Sequence, residues 1–312
     1  MPRVAVIGGG ASGCSAALTL KELNSQLEVV LFEKNDRLGG MAHSMDGINY
    51  GVQGVHKTFQ HTLKMVEIAR SLNPSIPKPQ PTSLSSKFVT PNTTWSTTST
   101  SNMREYGKDA DKFEKMVREA QQYPDVYALL TIVQACESYR ISRAFVDTLV
   151  LPTLALFFGT GNQVSRLPAV LGAQVFGVKD GRSPITLFDF DKETFIKVSE
   201  NNMLALPPLG DVYWSLEQHI RRIGIDVRLN ADIGSIGPNT TIDKTPFDAI
   251  ILCVQAEDAA LLTSEHYSRA SSVLSKAKYH TDVSITHSDQ DHMKNTFGFE
   301  EGFNYFIQSK GR

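Results

Sequence analysis

Six residues near the amino terminus, Gly8-Gly9-Gly10-Ala11-Ser12-Gly13, have the spacing that most directly implies chemistry. They spell G-x-G-x-x-G between a β-branched apolar run and a helical pattern. The glycine at Gly8 permits a tight turn, and Gly10 lets the backbone approach a pyrophosphate. Gly13 allows a helix to pack closely on the preceding strand, while Ala11 and Ser12 open that helix, whose positive N-terminus receives the anion. Glu33 stands twenty residues beyond Gly13. At the end of a second strand, a carboxylate in that register accepts both ribose hydroxyls of an adenosine and disfavours a 2′-phosphate. The pattern predicts a dinucleotide site without separating NAD from FAD.

The elements that must hold these residues are legible around them. Val4 to Ile7 reads as a strand, and Ala16, Ala17, Leu18, Leu20 and Leu23 recur at helical spacing. Leu27 to Phe32 supplies the second strand of a βαβ unit that ends at Glu33. His56 to Leu72 is predicted to be an amphipathic helix with Leu63, Val66, Ile68 and Leu72 on its apolar side. From Asn73 to Asn102 the composition turns to Pro, Ser and Thr, with β-type fragments at Lys87 to Val89 and Thr93 to Trp95, which marks a crossover between domains. Helical patterns over 109–122 and 127–139, with 141–158, predict a mostly helical insertion. Tyr213 to Ile223 then reads as a helix, Asp226 to Asn230 as a strand, and Ala249 to Val254 as a buried strand that returns the chain to its first domain.

Beyond the glycine fingerprint, Glu33 to Gly40 reads E-K-N-D-R-L-G-G. This resembles the extended FAD signature of the amine-oxidase and protoporphyrinogen-oxidase superfamily. The resemblance implies that Lys34, Arg37, Gly39 and Gly40 contact FAD, the arginine beside the adenosine ribose and the paired glycines offering amides to the ribityl-pyrophosphate. A second match lies downstream: Gly224 to Ile233 resembles the segment that returns to the adenine, with Ile233 at the adenine-contacting position, and Phe247 to Val254 resembles the buried strand that follows.

The resemblance covers roughly 3–60 and 205–285. It implies an α/β fold, with a glutathione-reductase-like FAD-binding Rossmann domain assembled from 1–75 and 205–285. A mostly helical substrate domain over 76–204 and an incomplete C-terminal segment over 286–312 complete the expected organisation, which reads as C-terminally truncated. Phe297 to Gln308 reads as aromatic strand material in need of a partner.

The function implied is an FAD-dependent oxidoreductase that passes a hydride from a hydrophobic small molecule to the flavin. The apolar stretch Leu149 to Phe158 favours such a substrate. Two other readings stand beside it: a redox-neutral flavin isomerase of lipid-like double bonds, to which the element His280-Thr281-Asp282 is similar, and a non-catalytic FAD-binding remnant. Gln53 and His56 either face the flavin ring or, for His56, open the following helix as an exposed residue. The sequence identifies no catalytic acid or base.

Composition narrows the classes further. Over 312 residues, 31 Lys and Arg balance 33 Asp and Glu for a net charge of -2, so no basic field is present to attract nucleic acid. Met1-Pro2-Arg3 runs directly into a strand with no signal-peptide pattern, which predicts a cytoplasmic protein. The longest apolar stretch, Thr148 to Phe158, is too short to span a bilayer and contains Pro152, which predicts a broken or kinked buried helix or the wall of an apolar pocket. Cys14, Cys136 and Cys253 match no metal or redox spacing. His287, Asp289, Asp291 and His292 are close in sequence but fit no metal-ligand pattern, so a hydrated loop is expected there and no metal.

Overall fold

The strand β1 (Arg3–Ile7) and the strand β2 (Glu28–Phe32) are β-branched, apolar runs joined by helix α1 (Ala11–Leu23). They pair in parallel, from Arg3 opposite Glu28 to Ile7 opposite Phe32. In the computed structural model the described residues are all of 1–312 except 53, 58, 83–84, 90–93, 98–102, 156, 159–160, 179–185, 187, 198–202, 280–284, 286, 288, 299–302 and 307–312. The chain divides into two compact units, Met1–Gln80 with Leu204–Tyr279, and Pro81–Met203 with His280–Arg312.

In the first unit, helix α2 (Gln60–Leu72) is followed, after the excursion into the second unit, by helix α3 (Leu209–Arg222), strand β3 (Asp226–Arg228), strand β4 (Ala249–Leu252) and helix α4 (Ala256–Thr263). The sheet runs β3-β2-β1-β4 and all its pairings are parallel. Such strands are covered on both faces, which explains why they read as continuous apolar runs. Val6, Val29 and Leu31 join Cys14 and Ala17 of α1, Val66 of α2 and Leu216 of α3 on one side. Ala5, Ile7, Val30 and Phe32 meet Ile236, Phe247 and Leu262 on the other. Burial lifts the Cys14 thiol to a pKa of about 12, so this cysteine behaves as a small apolar group.

The turn from β1 into α1 leaves no room for side chains at two of its glycines. A Cβ on Gly13 would lie 1.7 Å from the Gly8 carbonyl oxygen, and a Cβ on Gly8, whose φ is +105°, would lie 2.4 Å from that of Cys253. Between β2 and α2, His43–Met45 and Ile48–Tyr50 form a hairpin turned by Asp46 and Gly47, both at positive φ. The hairpin holds the start of α3: Asn49 Oδ1 accepts from Leu209 N at 2.8 Å and Ser44 Oγ from Gly210 N at 2.8 Å. His56 is buried in the short strand Gly54–His56, and the helix begins only at Gln60, so His56 does not open it.

The second unit departs from the mostly helical expectation. Its core gathers the helices Gly107–Gln122, Ile132–Ser138 and Ala169–Gln174, but two three-stranded sheets pack with them. One sheet contains Phe188–Asp191 and Phe195–Lys197, where alternating phenylalanines and aspartates give a period of two. Asp191 makes the turn by accepting from the amides of Glu193 and Thr194 at 2.9 Å each. In the other sheet Phe303–Phe306 pairs in parallel with Ser86–Val89, and Tyr305 stacks on Phe88 at 5.3 Å. The aromatic strand near the C-terminus therefore has its partner inside this unit.

The predicted helix over 127–139 is also interrupted. Its second half starts afresh at a capping box in which Thr131 and Gln134 hold each other's amides. Pro152 acts through its missing N–H. The helix loosens to a π-helical stretch over Val146–Val150 just before it, and the Thr148 carbonyl, four residues back, accepts from Trp95 Nε1 at 2.6 Å.

Replacing Gly13 with alanine must push α1 away from β1. The expected outcome is a loss of roughly 3 kcal/mol or more from the stability of the first unit. Urea denaturation followed by circular dichroism checks it, and an unchanged midpoint would contradict the packing described.

Candidate functional site

Gly8, Glu33 and Val254 follow the carboxyl ends of β1, β2 and β4, the edge at which open parallel sheets bind ligands. A cavity of about 230 Å³ opens there. Its floor is Ile7, Gly8 and Phe32, and its apolar walls are Ile233, Val254, Leu261 and Leu262. Glu33, Lys34, Asp232 and Asp258 supply its charged groups.

Glu33 is buried and already engaged. One carboxylate oxygen accepts from Gly9 N at 2.6 Å, and the other from Asn35 N at 2.9 Å and Asn35 Nδ2 at 2.6 Å. A carboxylate offers about four lone-pair sites, so these three donors leave room for about one more. A ribose that uses both of its hydroxyls on Glu33 must therefore share with, or displace, the Asn35 amide. The Glu33 backbone is fixed as well, its N–H donating to Arg228 O at 2.9 Å and its carbonyl accepting from Ala231 N at 2.9 Å. Across the cavity Lys34 Nζ lies 3.8 Å from Asp258 Oδ2, an exposed pair of the kind that contributes little to stability.

The glycine turn presents donors beside this cavity. The first turn of α1 carries no acidic side chain and no side-chain cap, and among the described residues nothing accepts from the amides of Ala11, Ser12 and Gly13. Gly39 N donates to Gly9 O at 2.8 Å, which brings the second glycine pair against the first. A Cβ on Gly40, whose φ is +56°, would lie 3.1 Å from the Gly10 Cα. Gly39 has φ +116°, and a Cβ there would meet the Tyr213 ring at 3.1 Å, so no other residue type fits that position without strain.

The sequence-predicted residues thus fall into three places. Gly8, Glu33, Lys34 and Ile233 line the cavity. Gly10, Ala11, Ser12 and Gly13 form the open end of α1, with Gly39 and Gly40 beside Gly9 and Gly10. Arg37 stands apart. Its guanidinium turns back onto the carbonyls of Leu38, Gly40 and Ala42 at 3.3–3.4 Å, and it is not among the cavity's lining residues.

Sequence reasoning passed over Asn35, Asp258, Leu261 and the Tyr213 ring. Leu261 and Asp258 lie on α4, and the turn of helix after the buried strand Ala249–Leu252 was the available signal for them. Gln53, His280, Thr281 and Asp282 lie outside the described residues. Asp289 serves as the N-cap of the helix Gln290–Phe297, its side chain accepting from His292 N at 2.8 Å. Leu149, Val150 and Leu154 are buried in the core of the second unit, so this apolar stretch fills a core and says nothing of a substrate.

Comparison with known proteins places this geometry in a family of folds. Residues 6–68 match the NAD(P)-binding Rossmann-like domain. A protein assigned as a protoporphyrinogen oxidase from Exiguobacterium sp. 255-15 is similar in structure, with a TM-score of 0.54, 17% identity, and coverage of 86% of this chain and 63% of that one. Cyclohexylamine oxidase from Brevibacterium oxydans IH-35A gives 0.53 at 14% identity, covering 88% and 63%. The fatty acid isomerase from P. acnes gives 0.55 at 15%, covering 84% and 60%. No curated protein matches the chain in sequence. The chain spans about three fifths of the length of these solved structures. The likeness to these solved structures is one of fold: the chain is an α/β protein whose first unit contains a Rossmann-like domain. Among the described residues no helix is long and apolar enough to cross a membrane.

The three bonds to Glu33 rank two variants. Glu33→Ala strands a buried Gly9 amide and two donors of Asn35, and is expected to lower stability by about 2–4 kcal/mol. Asn35→Ala removes one bond and is expected to cost about 1 kcal/mol. Chemical denaturation of both checks the order; equal losses would mean that the carboxylate does not organise the turn.

Proposed function

We propose that the first unit binds FAD through its ADP half and that the protein is a flavin-dependent oxidoreductase acting on a small molecule. The observation that carries the reading is the convergence of three features at one sheet edge. A buried carboxylate sits at the end of β2, the glycine turn beside it opens α1 with unpartnered amides, and an apolar-walled cavity is lined by that carboxylate and by Gly8 of the turn. Adenine fits the apolar walls at Ile233 and Leu261, ribose fits Glu33, and a pyrophosphate fits the helix end, where backbone donors and the helix dipole favour an anion. FAD is favoured over NAD by the second glycine pair, which rests against Gly9 and Gly10 and adds backbone to the same anion site.

When bound, the flavin supplies the hydride chemistry. This chain's residues do the holding. Glu33 selects an unphosphorylated ribose, because a 2′-phosphate would be driven against a buried carboxylate. The walls from Ile233 to Leu262 exclude water from the adenine, and the glycines let the backbone come close. A second reading, a redox-neutral flavin isomerase, draws support from the likeness to the fatty acid isomerase. Anaerobic mixing with a turnover substrate separates the two, since an oxidase leaves its flavin reduced and an isomerase returns it oxidised.

The test of the cofactor assignment is titration with FAD and NAD. FAD is expected to bind one per chain, and Glu33→Ala to weaken it by roughly 1.5–3 kcal/mol through loss of charge-assisted hydrogen bonds. Saturation by NAD with no FAD binding, or an unchanged FAD affinity in the variant, would overturn it.

A further inference from the structure

Arg37 presents one guanidinium to three alternate carbonyls of the turn that follows it. Nη1 donates to Leu38 O at 3.3 Å and Ala42 O at 3.4 Å, and Nη2 donates to Gly40 O at 3.3 Å. Of the two intervening carbonyls, that of Gly39 accepts from Ala42 N at 2.9 Å. In a planar trans peptide the C=O and the N–H that follows it point to opposite sides. Carbonyls gathered on the arginine therefore send the amides of Gly39 and Met41 the other way. The Gly39 amide shows the result, since it reaches Gly9 O at 2.8 Å. Among the described residues nothing accepts from the amides of Gly40 and Met41, and Gly40 sits against Gly10, one residue before the open end of α1. Gly39 at φ +116° and Gly40 at φ +56° put the turn in left-handed backbone that glycine adopts without strain.

We propose that Arg37 is a positioning residue for the pyrophosphate: by holding the carbonyls of Leu38, Gly40 and Ala42 on its own side, it keeps the free Met41 amide turned to the opposite side, where Gly39 meets the glycine turn, and open to the anion. The inference rests on the dinucleotide reading of the site and replaces the direct ribose contact that the sequence resemblance implied. One guanidinium can span three acceptors because its five donors form a planar fork; a lysine ammonium is a compact point charge and cannot hold the same set. Arg37 thus acts on the diphosphate through backbone it orders, and adenine and ribose do not sense it.

The experiment compares adenosine, ADP and FAD binding to the full chain and to Arg37→Ala and Arg37→Lys, by calorimetry or ligand-observed NMR, with a thermal melt of each variant as control. The expected result is that both variants bind adenosine as the unaltered chain does, while ADP and FAD weaken by about tenfold or more, the scale of one misaligned set of charge-assisted donors. Restoration of ADP affinity by lysine would overturn the proposal in favour of direct charge pairing with phosphate. Equal weakening of adenosine and ADP would overturn it in favour of a ribose contact or a general loss of structure, which the melt distinguishes. If the unaltered chain binds neither adenosine nor ADP, the nucleotide reading itself fails; if it binds both and the variants bind ADP normally, only the role of Arg37 fails.

Discussion

The approach of Gly13 to the Gly8 carbonyl is the constraint on which the first unit depends. With 1.7 Å between that oxygen and the place a Cβ would occupy, no side chain can stand at Gly13 while α1 leaves the end of β1 at its present angle. That angle puts the open end of α1 at the sheet edge. Backbone bonds then lock the neighbouring strand ends around it: Gly8 N donates to Phe32 O and Cys253 N to Ile7 O, each at 2.8 Å. Three strand ends and one helix end are thereby brought within reach of a single small ligand.

Glu33 extends the same frame outward. It is a ligand candidate and also a structural tie, because the donors it holds, Gly9 and Asn35, belong to the glycine turn and to the stretch leading into the second glycine pair. The consequence for function is that binding and folding are coupled at this residue. A nucleotide that engaged the carboxylate with both ribose hydroxyls would compete with Asn35 Nδ2, the partner of least covalent constraint, and the free energy of binding would be reduced by the bond it replaced. Gly39 carries the frame to α3 through the Tyr213 ring, and the hairpin residues Asn49 and Ser44 fix the start of that helix.

What the sequence made legible was local. β1, α1 and β2 show periodicity and glycine spacing that have one physical solution, and Glu33 follows from that register. Ile233 was placed by a resemblance and lies in the cavity wall. Asp258 and Leu261 reach the site because β4 lies beside β1; the return of Ala249 to Val254 to the first domain was legible, but the register that carries the following helix to the site was not. Arg37 was assigned by motif to the ligand, and the motif does not state that its guanidinium also donates to three carbonyls of the turn that follows it. In the second unit, the strands Phe188–Asp191 and Phe195–Lys197 were passed over although their alternation was visible, and the π-helical stretch before Pro152 depends on a distant donor, Trp95, that sequence reading has no means to supply. The Asp46-Gly47 hairpin was equally visible as a two-residue turn signal.

The central claim is that the edge formed by β1, β2 and β4 holds the ADP half of a dinucleotide. A crystal structure of the chain with ADP tests it most directly. The account predicts adenine between Ile233 and Leu261, a ribose hydroxyl on Glu33, and the diphosphate on the amides of Ala11 to Gly13. ADP bound elsewhere on the chain, or at this edge with its diphosphate turned away from α1, would contradict it.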